Sequence, residues 1–214
     1  MNKAVIFDLD GTLIDSMGGI ADAVNKTRKV YDLPPQDPEL IKSFVGNGVI
    51  KLIERSLAVD KSTVLLDDAV KTMIKIYGDD PVAGTVLYEG VEDTLAQLHK
   101  NDWIMAVVSN KPQIVSEKIL SELDIRKFFS ENIGGGGNFP LKPATDALDY
   151  LITKYQISSE NCYVVGDNYT DLDFAANGNI KSIFCTWGYG CIGANLPTFE
   201  ADSFREISKI ISGK

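Results

Sequence analysis

The sequence predicts an α/β fold: a parallel sheet covered on both faces and interrupted near its start by an all-helical insertion. Three observations predict it. Short β-branched runs alternate with amphipathic helical patterns over most of the chain, the signature of strands joined by crossover helices. The leading runs are apolar without polar alternates, as strands buried on both faces require. Between residues 16 and 81 this rhythm stops, and only helical periodicity remains.

The first strand is expected over Ala4 to Leu9, where Val5, Ile6 and Phe7 form a near-continuous apolar run. The insertion follows, broken at Pro34-Pro35, Asp37-Pro38 and Gly46-Asn47-Gly48. Asp37 before Pro38 suits a helix N-cap with proline at the first helical position. Ile50, Ile53, Glu54 and Leu57 continue a third helix, and Val64 to Tyr77 a fourth. Met17-Gly18-Gly19 and Tyr77-Gly78-Asp79-Asp80-Pro81 flank the insertion like hinges, so it reads as a small helical lid over the sheet. Further strands are expected at Trp103 to Val108, Asn132-Ile133, Cys162 to Val165 and Ser182 to Cys185. Helices are expected at Val91 to Lys100, Pro112 to Leu123, Ala144 to Tyr155, Leu172 to Asn177 and Phe204 to Ile211. Ser203 with Glu206 fits a capping box for the last of these. The division that results is an α/β core over 1–15 and 82–214 and a helical cap over 16–81.

Composition narrows the function. The chain has 214 residues, 44% of them hydrophobic, enough for one sizeable core and a small accessory domain. No apolar run approaches the roughly 20 residues of a membrane span, and the N-terminus has no secretory h-region; a cytoplasmic protein is expected. With 21 basic against 30 acidic residues the net charge is −9. No basic stripe for nucleic acid is present, and Lys26-Thr27-Arg28-Lys29 reads as the solvated face of a helix. An anionic substrate gains no global steering from such a charge, so phosphate chemistry would depend on local cations. Cys162 looks like buried packing, Cys185 and Cys191 lack zinc spacing, and reduced thiols are expected. The single His99 lies in a helical stretch, which argues against a Ser-His-Asp hydrolase or a histidine-rich zinc site.

The chemistry-bearing residues fall at strand ends. Asp8-Leu9-Asp10-Gly11-Thr12 closes the first strand, and open α/β sheets bind ligands at the carboxyl ends of their strands. Two acids two residues apart repel each other unless neutralised, and a divalent cation does this. Ser109-Asn110-Lys111-Pro112 follows the second strand; a hydroxyl and free N–H groups ahead of a helix form an anion site, although Ser109 alone could equally be an N-cap. Lys142 stands at a helix entrance in Leu141-Lys142-Pro143. Gly166-Asp167-Asn168-Tyr169-Thr170-Asp171 places two more acids after the fourth strand. Asp8 and Asp167 with a substrate phosphate would suit magnesium, which takes an oxygen octahedron with few carboxylates.

The ordered set DxDGT, Ser-Asn, Lys and GDxxxD resembles the haloacid dehalogenase superfamily, over essentially the whole chain. FDLDGTLIDS, VGNG, VVSNKP, VVGDNYTD and TWGYG are similar to its phosphoglycolate phosphatase group. The resemblance implies a Rossmann-like parallel sheet core with an inserted four-helix cap. It implies Asp8 as nucleophile and Asp10 as acid and then base. Ser109 and Lys142 would bind phosphate oxygens, with Asn110 and Gly11 as further phosphate contacts. Asp8, Asp167 and the backbone carbonyl of Asp10 would hold magnesium, and Asp171 would support its waters. Asn168 stands where many relatives carry serine, a change expected to be tolerated. Gly134 to Gly137 lacks the ending of a nucleotide-binding loop and reads as a flexible connection. Substrate choice should lie in the cap, where Asn47 is a candidate, although a plain helix-to-helix turn fits as well.

The expected activity is hydrolysis of a small-molecule phosphate ester by a monomer or homodimer, with no nucleic-acid or membrane partner. A phosphomutase on the same scaffold would use the same acids. A dehalogenase would have no work for Asp10, Asp167 and Asp171. A non-catalytic receiver or phosphate sensor would lack the helical insertion or some of these acids.

Overall fold

A computed structural model describes residues 2–57 and 66–212. Six strands form one all-parallel sheet: β1 (Asn2–Phe7), β4 (Ile104–Pro112), β5 (Glu131–Gly135), β6 (Ile157–Gly166), β7 (Lys181–Cys185) and β8 (Phe199–Ala201). Across the sheet they run β5-β4-β1-β6-β7-β8. Counted in chain order this is the 3-2-1-4-5-6 arrangement, whose order reverses beside its first strand; a crevice opens there at the strands' carboxyl ends.

Alternate residues of the central strands feed two separate cores. Val5, Phe7, Met105, Val107, Tyr163 and Val165 face one side, where α5 (Val91–Lys100), α6 (Gln113–Glu122) and α9 (Phe204–Ser212) lie. Ala4, Ile6, Ala106, Val108, Cys162 and Val164 face the other, covered by α7 (Asp146–Tyr155) and α8 (Tyr169–Asn177). Burying both faces explains why these strands read as unbroken apolar runs.

Between β1 and α5 the chain forms a two-stranded antiparallel ribbon, β2 (Ile14–Asp15) with β3 (Val86–Leu87), and among the described residues four helices lie between its strands. These are α1 (Met17–Val30), α2 (Pro38–Lys42), α3 (Gly48–Ser56) and α4 (Leu66–Asp79). Asp37 caps α2, accepting from the Glu39 N–H at 2.9 Å. The expected start of the fourth helix at Val64 lies outside the described residues. Among them, no helix is long and apolar enough to cross a membrane.

Several local expectations are corrected. Arg28 is not part of a solvated basic face: it turns inward, its guanidinium bonded to the carbonyls of Pro34 and Ser56. Gly134 and Gly135 are not a flexible connection but the end of β5; a Cβ there would fall 2.6 Å from the Gln113 backbone and 2.8 Å from the Asn110 carbonyl. The Ser203–Glu206 box is displaced by one residue, since the Glu206 carboxylate accepts from the Asp202 N–H at 2.8 Å. Cys162 and Cys185 are buried free thiols, Cys191 is exposed, and His99 packs against Phe128.

Candidate active site

The reversal in strand order brings the carboxyl ends of β1, β4 and β6 together, and the acids that follow β1 and β6 meet there. Carboxylate oxygens of Asp8, Asp167 and Asp171 lie within 4.8 Å of one another. Lys142 stands among them, its Nζ 3.0 Å from Asp8 Oδ1 and 2.6 Å from Asp171 Oδ1. The contact with Asp171 is a hydrogen bond, whereas that with Asp8 is an ion pair alone, so Asp8 Oδ1 is buried without a hydrogen-bond partner.

Each acid is fixed differently. Asp167 Oδ2 accepts the backbone N–H groups of Tyr189 and Gly190, both at 2.9 Å, and Thr12 Oγ1 lies 3.3 Å from its Oδ1. Gly11 makes that packing possible: at φ +78° it turns the chain where a Cβ would fall 2.2 Å from Asp167 Oδ2. Its N–H donates to the Ile14 carbonyl, so Gly11 supports Asp167 rather than reaching into the cavity. Asp171 accepts from the Asn168 N–H at 3.1 Å while Asn168 Oδ1 accepts from the Thr170 N–H, a capping box that starts α8. Asparagine and serine cap helices about equally well, which explains why Asn168 serves at this position.

The electrostatics follow from burial. Removal from water pushes Asp167 up to about 8, and the charges of Asp171 and Asp8 add to that. Asp171 is pushed up to about 6, again first by burial, against the pull of Lys142. Burial alone would lower Lys142, but Asp171 and Asp8 outweigh it and take it up to about 12. Three clustered carboxylates thus face one ammonium. Their oxygen-only donor set and residual negative charge fit a hard divalent cation.

A cavity of about 60 Å³ opens above this cluster. Its core side is lined by Asp8, Asp10, Ser109, Asn110, Lys111 and Asp167; its cap side by Ile20, Val49, Leu52, Met73 and Tyr77. Ser109 therefore sits where expected, near the end of a strand that continues to Pro112 because Pro112 pairs with Gly135 past a register shift. The Asn110 side chain is fully engaged: it accepts from the Lys142 N–H at 2.9 Å and donates to the carbonyls of Lys142 and Gly46 at 3.2 and 3.0 Å. It acts as a clamp for Lys142 and for the cap. Asn47 does not line the cavity. Its side chain donates to Tyr169 Oη at 2.7 Å and accepts from Arg55 Nη1 at 2.9 Å, which latches the cap to α8.

The Asp10 carboxylate stands apart from the acidic cluster. It accepts from Ser16 Oγ at 2.5 Å and from Lys111 Nζ at 2.9 and 3.2 Å. Lys111, Tyr77, Ser16 and Tyr189 were not singled out from the sequence. The only signal for Lys111 was its place directly after Ser109-Asn110; its partner on β1's loop lies 101 residues away.

The family model "Haloacid dehalogenase-like hydrolase" matches residues 5–185. The chain belongs to the haloacid dehalogenase-like hydrolases. It is 32% identical to the phosphoglycolate phosphatase of Vibrio parahaemolyticus over 98% of this chain and 96% of that one. It is 34% identical to that of Colwellia psychrerythraea over 96% and 95%. The crystal structure of a predicted phosphoglycolate phosphatase from Haemophilus somnus superposes with a TM-score of 0.89 at 30% identity, over 98% of this chain and 97% of that one. A predicted phosphatase from Clostridium acetobutylicum superposes at 0.84 with 25% identity over the full length of both. Membership in this hydrolase family gives the buried acids at the strand ends a common purpose.

Proposed function

We propose that this hydrolase is a magnesium-dependent phosphatase that cleaves a small phosphate monoester of the phosphoglycolate kind through an aspartyl-phosphate. One observation carries the reading: a buried Asp8 oxygen without a hydrogen bond lies beside Lys142 at the mouth of the acidic cluster. The Asp8 carboxylate lines the cavity, which offers it as a nucleophile, and the ammonium paired with it attracts the phosphoryl group.

Asp8 attacks phosphorus as the ester P–O bond breaks, and Asp10 passes its proton to the departing oxygen. Asp10 then takes a proton from the water that cleaves the aspartyl-phosphate. Ser109 and Lys142 hold the equatorial phosphate oxygens, where transition-state charge gathers. Asp8, Asp167 and the Asp10 carbonyl would hold magnesium, with Asp171 supporting its waters; the ion supplies charge neutralisation for phosphate and carboxylates in one site. Asn110 sets the Lys142 backbone, and Gly11 lets Asp167 approach. Residues 1–15 and 82–214 act as the catalytic unit, and 16–81 as the cap that excludes water.

The substrate assignment is supported by the relatives that carry the phosphoglycolate phosphatase name over nearly their whole length and by a cavity sized for small molecules. The test is phosphate release from 2-phosphoglycolate with magnesium. Asp8→Asn should lower turnover by at least about 10⁴-fold, the order seen when a nucleophile is removed, and EDTA should abolish it. Equal release by native and variant protein would remove Asp8 from the mechanism.

A further inference from the structure

We infer that Lys111 and Tyr77 form a positioning pair for the Asp10 carboxylate, with Tyr77 delivered by the cap, so that Asp10 is aimed for proton transfer when the cap is seated. This rests on the acid–base reading of Asp10 given above.

Lys111 is a buried cation in the cavity wall to which the phosphate-binding reading of Ser109 and Lys142 gives no role. Its side chain is 3% exposed, and burying an ammonium costs several kcal/mol unless partners compensate. Here the partners take up its donors. Nζ contacts both Asp10 oxygens, at 2.9 and 3.2 Å, and donates to Tyr77 Oη at 2.8 Å. Nζ also lies 4.3 Å from the centre of the Tyr77 ring. Two contacts on one carboxylate fix its plane as well as its place. On the opposite side Ser16 Oγ holds Asp10 Oδ1, and Tyr189 Oη backs Ser16 at 3.0 Å.

These contacts come from separate parts of the chain. Ser16, just after the ribbon strand β2, and Tyr189, in the loop after β7, flank Asp10; Lys111 comes from β4, and Tyr77 from the last turn of α4. Only Tyr77 belongs to the far side of the cavity. With the end of α4 seated beside α6, the Tyr77 hydroxyl takes one Lys111 donor and leaves the remaining ones to Asp10. A general acid must place its proton within hydrogen-bond reach of the departing oxygen, and a displacement of about 1 Å can cost about 10²-fold in rate. A lysine that clamps the carboxylate while the cap is closed supplies that placement.

The test compares esters that need the proton with one that does not. Single-turnover rates would be measured with 2-phosphoglycolate and β-glycerophosphate, whose alkoxide leaving groups require protonation, and with 4-nitrophenyl phosphate, whose leaving group departs without it. Lys111→Met should slow the alkyl esters by about 10²-fold, the usual span of general acid catalysis, and slow the nitrophenyl ester at least about tenfold less. Tyr77→Phe should show the same bias at smaller size, and Lys111→Arg should recover part of the loss. Placed on an Asp10→Asn background, Lys111→Met should add less than about threefold, because residues acting through one group are not additive. Equal losses on all three esters, or full additivity with Asp10→Asn, would overturn the inference and make Lys111 a packing or phosphate-binding residue. Bias in Asp10→Asn but not in Lys111→Met would remove the inference and leave the acid–base reading intact. No bias in Asp10→Asn would remove that reading, and the inference with it.

Discussion

The two sides of the cavity are made of different material. The core side presents Asp8, Asp10, Ser109, Lys111 and Asp167 from strand ends, whereas the cap side presents Ile20, Val45, Val49, Leu52 and Met73, with Tyr77 its one hydroxyl among the described lining residues. The core side is also the more firmly held, since its acids are tied by backbone N–H groups and by a buried lysine. The cap is seated on it through polar links of its own: Gly46 to Asn110, Asn47 to Tyr169, Tyr77 to Lys111 and Gly78 to Lys118. The contrast teaches that the cavity joins two surfaces of different chemistry, one charged and built from strand ends, the other apolar and built from inserted helices.

Four substitutions or treatments probe the two surfaces, with effects that shrink from the charged side to the apolar one. Lys142→Met leaves three buried carboxylates without their cation. It should cost about 3–5 kcal/mol, a fall in Tm of about 10 °C for a chain this size, together with loss of turnover. An unchanged melting curve would show that the core side is not held by charge pairing. Metal removal comes next. Without metal, Asp167 is held near 8 in the folded protein against the usual 3.8, so the folded state keeps a proton that the unfolded chain gives up. Stability of the EDTA-treated protein should then fall as pH rises from about 4 to 8. Magnesium at about 100 times its dissociation constant should add about 2.7 kcal/mol, and should raise Tm more at pH 8 than at pH 5.5. A Tm that rises with pH in EDTA would contradict this sign.

On the cap side the effects should be smaller and of another kind. Leu52→Ala removes an apolar side chain from the cap side of the cavity and should raise KM about tenfold, in the range for lost methylene contacts, with kcat within about threefold. A fall in kcat with KM unchanged would join the two surfaces that the structure separates. Asn47→Ala removes the latch to Tyr169, a loss of about 1 kcal/mol. Hydrogen exchange of the 46–48 backbone should quicken about fivefold while exchange in β1 stays the same.

The same contrast explains what could be read from the sequence. Asp8 and Asp167 each follow a run buried on both faces, so strand and site announce one another, and the parallel sheet with its helical insertion was legible from those runs. The ribbon strands β2 and β3 are two residues each, too short to leave any periodicity. β8 was missed because it is a three-residue edge strand whose Phe199 and Glu200 are exposed. The partners of Asp10 were hidden for another reason: Lys111 reads only as part of the segment after the second strand and Tyr77 only as the end of a helix beside a hinge-like flank, until the fold sets one beside the other. Asn47 shows the converse. Its loop reads as a place where backbone could meet substrate, and Gly46 and Gly48 do line the cavity, but the Asn47 side chain pairs with Tyr169, 122 residues away, a contact that no local pattern encodes. Glycine was ambiguous in the same way: Gly134-Gly135 has the composition of a linker and the surroundings of a packed strand.

The chain leaves for the helical insertion and returns from it at nearly the same point. Ile14 pairs with Leu87 and Asp15 with Val86, and a Cβ on Gly18 would sit 3.0 Å from the Gly84 carbonyl. The sheet is therefore continuous on either side of a single splice point, and the length of what is spliced in makes no difference to its register. An insertion of another size or shape could replace this one without moving Asp8 or Asp167 along the sheet, but it would have to bring its own partner for Lys111 in place of Tyr77.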